Sequence, residues 1–402
     1  MKKLFRIILI HLIYLLGAPG ARLAARKAHR PAPQKPRILL MRPGNLGDLV
    51  MTTPVLSALK AQVPDAHITM MVAPGPGEVV TRHPDVDQIL LFSFPSSRAT
   101  AKHVLRPYML LLRTAKQLRC GDYDIAISLR PQFWWGAALL YLASIPHRIG
   151  FAFDPSTQFL TTAVPFHPFD HSTASCLRLV SAGLQRLEYQ PLAEPYTPER
   201  YPLQFIPTTV EQQWVNERLS AEGINPSTKL VIIHPGTGAQ VKLWRVDAWS
   251  HCATELMHSL GGTHSVRIIL TGTKNEQPLL EAVARGSTAP TTLVTDATIG
   301  QLAALLRRAQ LVLGVDSGPL HLAIAQGTPT VQVFGPTDPK NYGPWGKEGQ
   351  HAVVVSEHRC PTCPRIPCGR LQFAPRELAA HPCVGFVTEE EVLKMVSNLW
   401  QI

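Results

Sequence analysis

Three stretches set chemically capable side chains just past short apolar runs. "MRPGNLGDLVMTTPVL" (41–56) follows Ile38-Leu39-Leu40 and carries Asp48 where a glycine-paired loop gives way to a helical pattern. "HPGTGAQVKLWRVDAWSHCATEL" (234–256) brings Thr237, Lys242 and Arg245, and "LVLGVDSGPLHLAIAQGTPTVQVFGPTDP" (311–339) brings Asp316, Ser317, Gly318 and His321. A carboxylate so placed can take a proton from a hydroxyl. A lysine and the free amides of a helix start suit a diphosphate, whose charge they neutralise as it departs.

Each residue also has a plainer use. The first loop lacks the G-x-G-x-x-G order, no acid closes the second apolar run "HITMMVA", and no Lys-Ser/Thr pair follows, which excludes dinucleotide and P-loop fingerprints. What remains is a tight turn, allowed by Gly44 and Gly47, that presents Asn45 and Asp48. Asp48 then reads as a helix cap or as a general base, and capping is the commoner use of an aspartate there. Pro319 stands where proline is tolerated at a first helical position. On their own, Lys242 reads as a solvated lysine, His321 as a structural histidine, and Trp244 and Trp249 as packing residues.

These loops need strands to carry them. "RILLMR" (37–42), "HITMMVA" (67–73), "QILLF" (88–92), "YDIAISL" (123–129) and "RIGF" (148–151) read as strands separated by helix-length segments. Five prolines between 191 and 207 mark a linker, followed by one helix, "TTVEQQWVNERLSAEG". The rhythm restarts with "KLVIIHPG" (229–236), "VRIILTG" (266–272), "TTLVT" (291–295), "LVLGVDS" (311–317) and "TVQVFG" (330–335). The pattern predicts an α/β chain: a leader over 1–36, a Rossmann-like doubly wound domain over 37–190, a connection over 191–227 and a second such domain over 228–402. Ligands of such sheets bind beyond the strand carboxyl ends, so a central cleft faced by both domains is the expected site.

The net charge of +11 is concentrated at one end: residues 1–37 hold nine basic side chains and no acid. The body is near neutral, which argues against a nucleic-acid partner. Within the leader the apolar part, Leu4 to Leu16, is interrupted by Arg6 and His11 and falls short of a spanning helix. No A-x-A cleavage site is evident. Lys2, Lys3 and Arg6 share one side of a helical wheel, so the leader is expected to lie in a membrane surface through residues 1–30 as an amphipathic anchor. Cys360, Cys363, Cys368 and Cys383 cluster with C-x2-C-x4-C-x14-C spacing, which suits a structural metal or buried free thiols. No metal is assigned to them, and their distance along the chain from the three motifs points to a structural role.

The three motifs, in this order and at these intervals, resemble the ADP-heptose:lipopolysaccharide heptosyltransferases, glycosyltransferase family 9, over roughly residues 37–400. The resemblance implies a GT-B architecture with acceptor on the N-terminal domain and nucleotide-sugar on the C-terminal one. It assigns Asp48 as catalytic base, with Gly44, Asn45 and Gly47 shaping the acceptor side. Lys242 is implied to contact donor phosphates and Asp316 the donor sugar, with Ser317, Gly318 and His321 completing that loop and Thr237 in the hydroxyl-bearing loop. Arg245 stands where many members have proline, and "TGTKNEQ" (271–277) only loosely matches the segment that touches the nucleoside. The implied reaction is inverting transfer of heptose from ADP-heptose to a lipid-linked lipopolysaccharide core, on the cytoplasmic face of the inner membrane. It needs no cofactor, and no Asp-x-Asp signature is evident. The alternatives are a member using another nucleotide-sugar or glycan acceptor and, from another class, an inactive sugar-nucleotide-binding scaffold protein.

Overall fold

The computed structural model describes residues 2–29, 33–95, 105–261 and 266–400, and in the first helix side chains are described from Ile7 onward. The chain forms two compact units, Met1–Pro168 with Thr173–Tyr196, and Phe169–Ser172 with Thr197–Ile402.

The first unit is built on β1 (Arg37–Arg42), β2 (His67–Val72), β3 (Gln88–Leu91), β4 (Ile125–Ser128), β5 (His147–Phe151) and β6 (Thr162–Val164). All pairs are parallel, in the order β3-β2-β1-β4-β5-β6. The second unit repeats the plan with β7 (Lys229–His234), β8 (Val266–Thr271), β9 (Thr291–Val294), β10 (Leu311–Val315), β11 (Thr330–Phe334) and β12 (His351–Val355). Its order is β12-β11-β10-β7-β8-β9, again all parallel. Central strands buried on both faces read as unbroken apolar runs, which is why Leu39, Leu40 and Met41 of β1 are fully buried in sequence.

Two strands escape the sequence pattern. β6 is three residues long and mixes Thr162 with Ala163 and Val164, and β12 follows the proline- and glycine-rich stretch 335–350. Both are edge strands, half-covered and so weakly patterned. The helix after the prolines runs Thr209–Ala221, and its start is a reciprocal cap: Glu211 N donates to Thr208 Oγ1 (3.3 Å) and Thr208 N to Glu211 Oε2 (2.7 Å).

The leader departs from the expectation that its apolar part falls short of a spanning helix. It is one helix, Lys2–Ala28, continuing through Pro19, and Ile7–Ala28 is long and apolar enough to cross a membrane by length and composition. The correction has a physical cause: Gly17, Ala18, Ala21, Ala24 and Ala25 extend the apolar character past Leu16 without large side chains. From Ile7 to Ala25 the helix is apolar except at His11 and Arg22. Ile10, Ile13, Gly17 and Ala24 are buried, Gly17 so closely that a Cβ would meet the Tyr141 ring at 2.3 Å, and Tyr14 stacks on Tyr141 at 5.5 Å. This seam docks on the helix Trp134–Leu142. Ile7, Ile8, Leu12, Leu15, Leu16 and Leu23 remain exposed. The expected grouping of Lys2, Lys3 and Arg6 on one side lies outside the described side chains, and Arg30 and Pro31 outside the described residues.

In the second unit Trp249, fully buried, packs edge-on to Trp244 at 4.7 Å within a core that includes Val231, Ile233 and Leu313. Truncating Trp249→Ala leaves a large void there and should lower the unfolding free energy by about 3–5 kcal/mol. Urea unfolding followed by far-UV circular dichroism measures it; a loss below 1 kcal/mol would mean the core closes over the void.

Candidate functional site

Each sheet reverses its strand order once, between β1 and β4 in the first unit and between β7 and β10 in the second. Loops that leave the carboxyl ends of such strand pairs diverge to opposite faces and open a crevice, the usual ligand position in these sheets. The sequence-predicted residues all stand there. Asp48 follows β1; Thr237 and Lys242 follow β7; Asp316, Ser317, Gly318 and His321 follow β10.

At the first reversal, Asp48 lies on the short helix Leu46–Val50. Its Oδ2 accepts from Asn45 N at 2.9 Å, which is the capping role, and its Oδ1 accepts from Arg42 Nη2 at 3.0 Å. Arg42, the last residue of β1 and almost wholly buried, also donates from Nη1 to Leu129 O beyond β4 at 2.6 Å. The guanidinium therefore spans the reversal and aims the carboxylate. Asp48 keeps 31% of its side chain exposed, and two held oxygens leave lone pairs free for an incoming hydroxyl. Gly44 is required because a Cβ there would lie 2.5 Å from that of Asp48. Arg42 was not singled out in the sequence, where an arginine ending an apolar run carries no pattern.

At the second reversal the groups converge more tightly. Lys242, at the end of the 3-10 turn Gln240–Lys242, donates from Nζ to Asp316 Oδ2 at 2.9 Å, and Thr337 Oγ1 donates to the same oxygen at 2.6 Å. Asp316 and Lys242 side chains are 6% and 14% exposed. His321 Nε2 stands 4.0 Å from Asp316 Oδ1. Ser317 opens the helix Gly318–Ala325, with Pro319 in its first turn, and its buried Oγ has no partner among the described residues. Thr237 sits half-buried on the loop leaving β7. Thr337, from the loop after β11, joins three neighbouring strands into one polar cluster; it went unread because threonine between "GP" and "DP" looks like ordinary turn chemistry.

Other singled-out residues have structural partners. Trp244 and Trp249 pack in the core, and Arg245 pairs with Asp247 (2.7 Å) and Glu389 (2.9 Å). In "TGTKNEQ", Thr271 Oγ1 shares a 3.0 Å hydrogen bond with His234 Nδ1, and Glu276 Oε2 caps Thr273 N at 2.8 Å. Contrary to the expectation of no Asp-x-Asp signature, the chain holds two such triplets, Asp85–Asp87 and Asp122–Asp124, but they precede β3 and β4 at their amino ends, away from the motif loops. There Asp87 Oδ2 accepts from Ile68 N (2.7 Å) and Asp124 Oδ2 from Arg37 N (2.8 Å).

Burial pushes the His234 imidazole at the end of β7 down to about 4, and that of His351 in β12 likewise to about 4. Unfolded histidines protonate below about 6.5. The unfolded chain thus binds more protons than the folded one in this window, so stability present above pH 6.5 drains as pH falls towards 4. Denaturant midpoints measured in steps from pH 7 to 4 should fall, and less steeply in His234→Gln and His351→Gln; parallel profiles would show that neither imidazole stays neutral.

The geometry has counterparts. A family model described as glycosyltransferase family 9 (heptosyltransferase) matches residues 111–370. Lipopolysaccharide heptosyltransferase 3 of Escherichia coli is 26% identical over 308 residues, covering 74% of this chain and 83% of the relative. The glycosyl transferase family 9 structure from Veillonella parvula superposes with a TM-score of 0.72 at 20% identity, over 91% of this chain and 98% of the other. E. coli heptosyltransferase WaaC, solved with ADP-2-deoxy-2-fluoro heptose, gives 0.64 at 18% identity over 90% and 99%. The two Rossmann-like units are those of a GT-B fold, and with well over half of its length under the family model the chain belongs to glycosyltransferase family 9, the heptosyltransferases.

Proposed function

We propose that this chain transfers heptose from ADP-heptose to the inner core of lipopolysaccharide, with inversion at the anomeric carbon. The observation that carries the reading is the Lys242–Asp316–Thr337 cluster at the head of the helix Gly318–Ala325. An ammonium has three donors, so Lys242 can hold Asp316 and still meet a phosphate oxygen. The amides of Gly318 onward and the Ser317 hydroxyl add donors where negative charge grows on the leaving diphosphate, the place where preorganised donors lower a barrier most. Asp316, with Oδ1 not taken by Lys242 or Thr337, suits a sugar hydroxyl. WaaC's complex with an ADP-heptose analogue supports the same donor class.

Asp48 is the base in this proposal. As the acceptor oxygen attacks the anomeric carbon, its proton passes to the Asp48 carboxylate, the bond to the diphosphate breaks, and ADP departs from the opposite side. Arg42 and the Asn45 amide fix the carboxylate's direction before the acceptor arrives. Titration calorimetry of the full chain should show selective binding of ADP-heptose over UDP-glucose and GDP-mannose. A different preferred nucleotide would move the chain to another donor, and no binding would favour the scaffold reading. Asp48→Asn should cut turnover by about 10²–10⁴-fold while donor affinity holds, as expected for loss of a general base. Lys242→Ala should weaken donor affinity and turnover together; unchanged kinetics for either variant would remove that residue from the site.

A lipid-linked acceptor suits an enzyme held at the membrane, because confinement to one plane raises the effective concentration of both. We place that contact on the exposed row Ile7, Ile8, Leu12, Leu15, Leu16 and Leu23. The opposite seam is already docked, so the helix would lie along the bilayer surface on the cytoplasmic side. Leu12→Glu, Leu16→Glu and Leu23→Glu together should abolish co-sedimentation with phosphatidylethanolamine–phosphatidylglycerol vesicles and leave donor binding intact; undiminished sedimentation would locate the contact elsewhere.

A further inference from the structure

From Ser356 to Thr388 the chain forms little regular structure, only the single turns Pro375–Leu378 and Cys383–Phe386. A loop of this length inside a compact unit needs something to hold it. Four cysteines with free thiols gather within it, together with His381. Cys360, Cys363, Cys383 and His381 are buried. The Sγ atoms of Cys360 and Cys363 and one ring nitrogen of His381 lie within 4.8 Å of one another, with Cys363 Sγ 3.3 Å from His381 Nδ1. Cys368 adjoins Cys363, and Cys383 adjoins Cys360.

We propose that this cluster is a structural zinc site: thiolates of Cys360 and Cys363, the imidazole of His381, and a fourth thiolate from Cys368 or Cys383 in a tetrahedron. Zinc bonds of about 2.0–2.3 Å set the donor atoms about 3.5–3.8 Å apart, so the cluster needs only to contract around the ion. The spacing C-x2-C-x4-C-x12-H-x-C begins with a turn, Cys363 N donating to Cys360 O at 3.0 Å, that brings the first two thiols together. Charge agrees with it. Three thiolates and an imidazole around Zn²⁺ carry a net negative charge, and residues 356–388 hold Arg359, Arg365, Arg370 and Arg376 against Glu357 and Glu377, with Arg370 paired to Glu377 at 3.0 Å. Soft thiolates with an imidazole favour zinc over oxygen-seeking cations.

The site also reaches the cluster around Asp316, a clause that rests on the function proposed above. Gly369 N donates to Pro336 O at 2.7 Å, and a Cβ on Gly335 would meet Val384 Cγ2 at 2.3 Å and Cys383 Sγ at 3.3 Å. These contacts fix the loop that carries Thr337. On the other side Trp244 Nε1 donates to Val387 O at 3.0 Å, two residues from Lys242. The zinc loop thereby buttresses both partners of Asp316.

The first test is metal analysis of the full chain, purified without a histidine tag, by plasma mass spectrometry. One equivalent of zinc is expected, independent of any donor. A metal-free protein with four titratable thiols in this loop, or another metal in place of zinc, would overturn the assignment. Cys363→Ser and His381→Ala should each lose the ion, as should one of Cys368→Ser and Cys383→Ser. Loss in both of the latter with retention in His381→Ala would overturn the histidine ligand. Since a variant that loses the ion could also misfold, the wild type is stripped with a chelator and compared by amide hydrogen exchange. Exchange should quicken in 356–388 and also in 335–337 and 240–245, and slow again when zinc is restored. Faster exchange confined to 356–388 would overturn the buttressing.

Discussion

A carboxylate with almost no exposure must be met by donors, because an uncompensated buried charge costs several kcal/mol. Asp316 sits in that position, and its needs organise the second unit. Lys242 comes from the loop after β7, Thr337 from the loop after β11, and Asp316 itself from the end of β10. Three adjacent strands are thus tied at their carboxyl ends through one oxygen atom. The loops cannot drift independently, and the start of the helix Gly318–Ala325 is held at a fixed place relative to the lysine.

The first unit solves the parallel problem with less burial. Arg42 bridges the reversal between β1 and β4 through Leu129 O and presents Asp48 with part of its carboxylate open. The contrast follows from what each carboxylate is suited to. One that holds two donors through a single oxygen is fixed by them and keeps its other oxygen, Oδ1, for a ligand. One that must accept a proton from an arriving hydroxyl needs open lone pairs and a direction. The capping bond from Asn45 N and the catalytic role proposed for Asp48 are therefore not rivals, since the cap supplies part of the direction.

Much of this was legible because parallel sheets bury their central strands on both faces. The runs at β1, β2, β7, β8 and β10 are nearly pure apolar sequence, and glycine and proline mark where they end. β6 and β12 lie at sheet edges, where that constraint relaxes and the pattern fades. The partners of the site residues were harder to read: Arg42 and Thr337 act on residues that are close in space but unremarkable in spacing, and a threonine in a turn or an arginine after a strand carries no periodic signal. His381 escaped for the same reason, lying 13 residues past Cys368 among irregular chain.

The leader misled by its mixture of charges and leucines. Lys2, Lys3 and Arg6 at one end suggest a two-sided helix, yet from Ile7 to Ala25 apolar residues face every direction except at His11 and Arg22. Such a helix has two apolar surfaces to cover. The folded unit covers one by close packing, which Gly17 and Gly20 permit against Tyr141 and Ser144. The other surface is a contiguous aliphatic row of the kind that water does not tolerate cheaply. The small residues that brought the helix onto the domain therefore also fix which row of leucines and isoleucines is turned outward, so the orientation of any membrane contact is set by the packing on the opposite side.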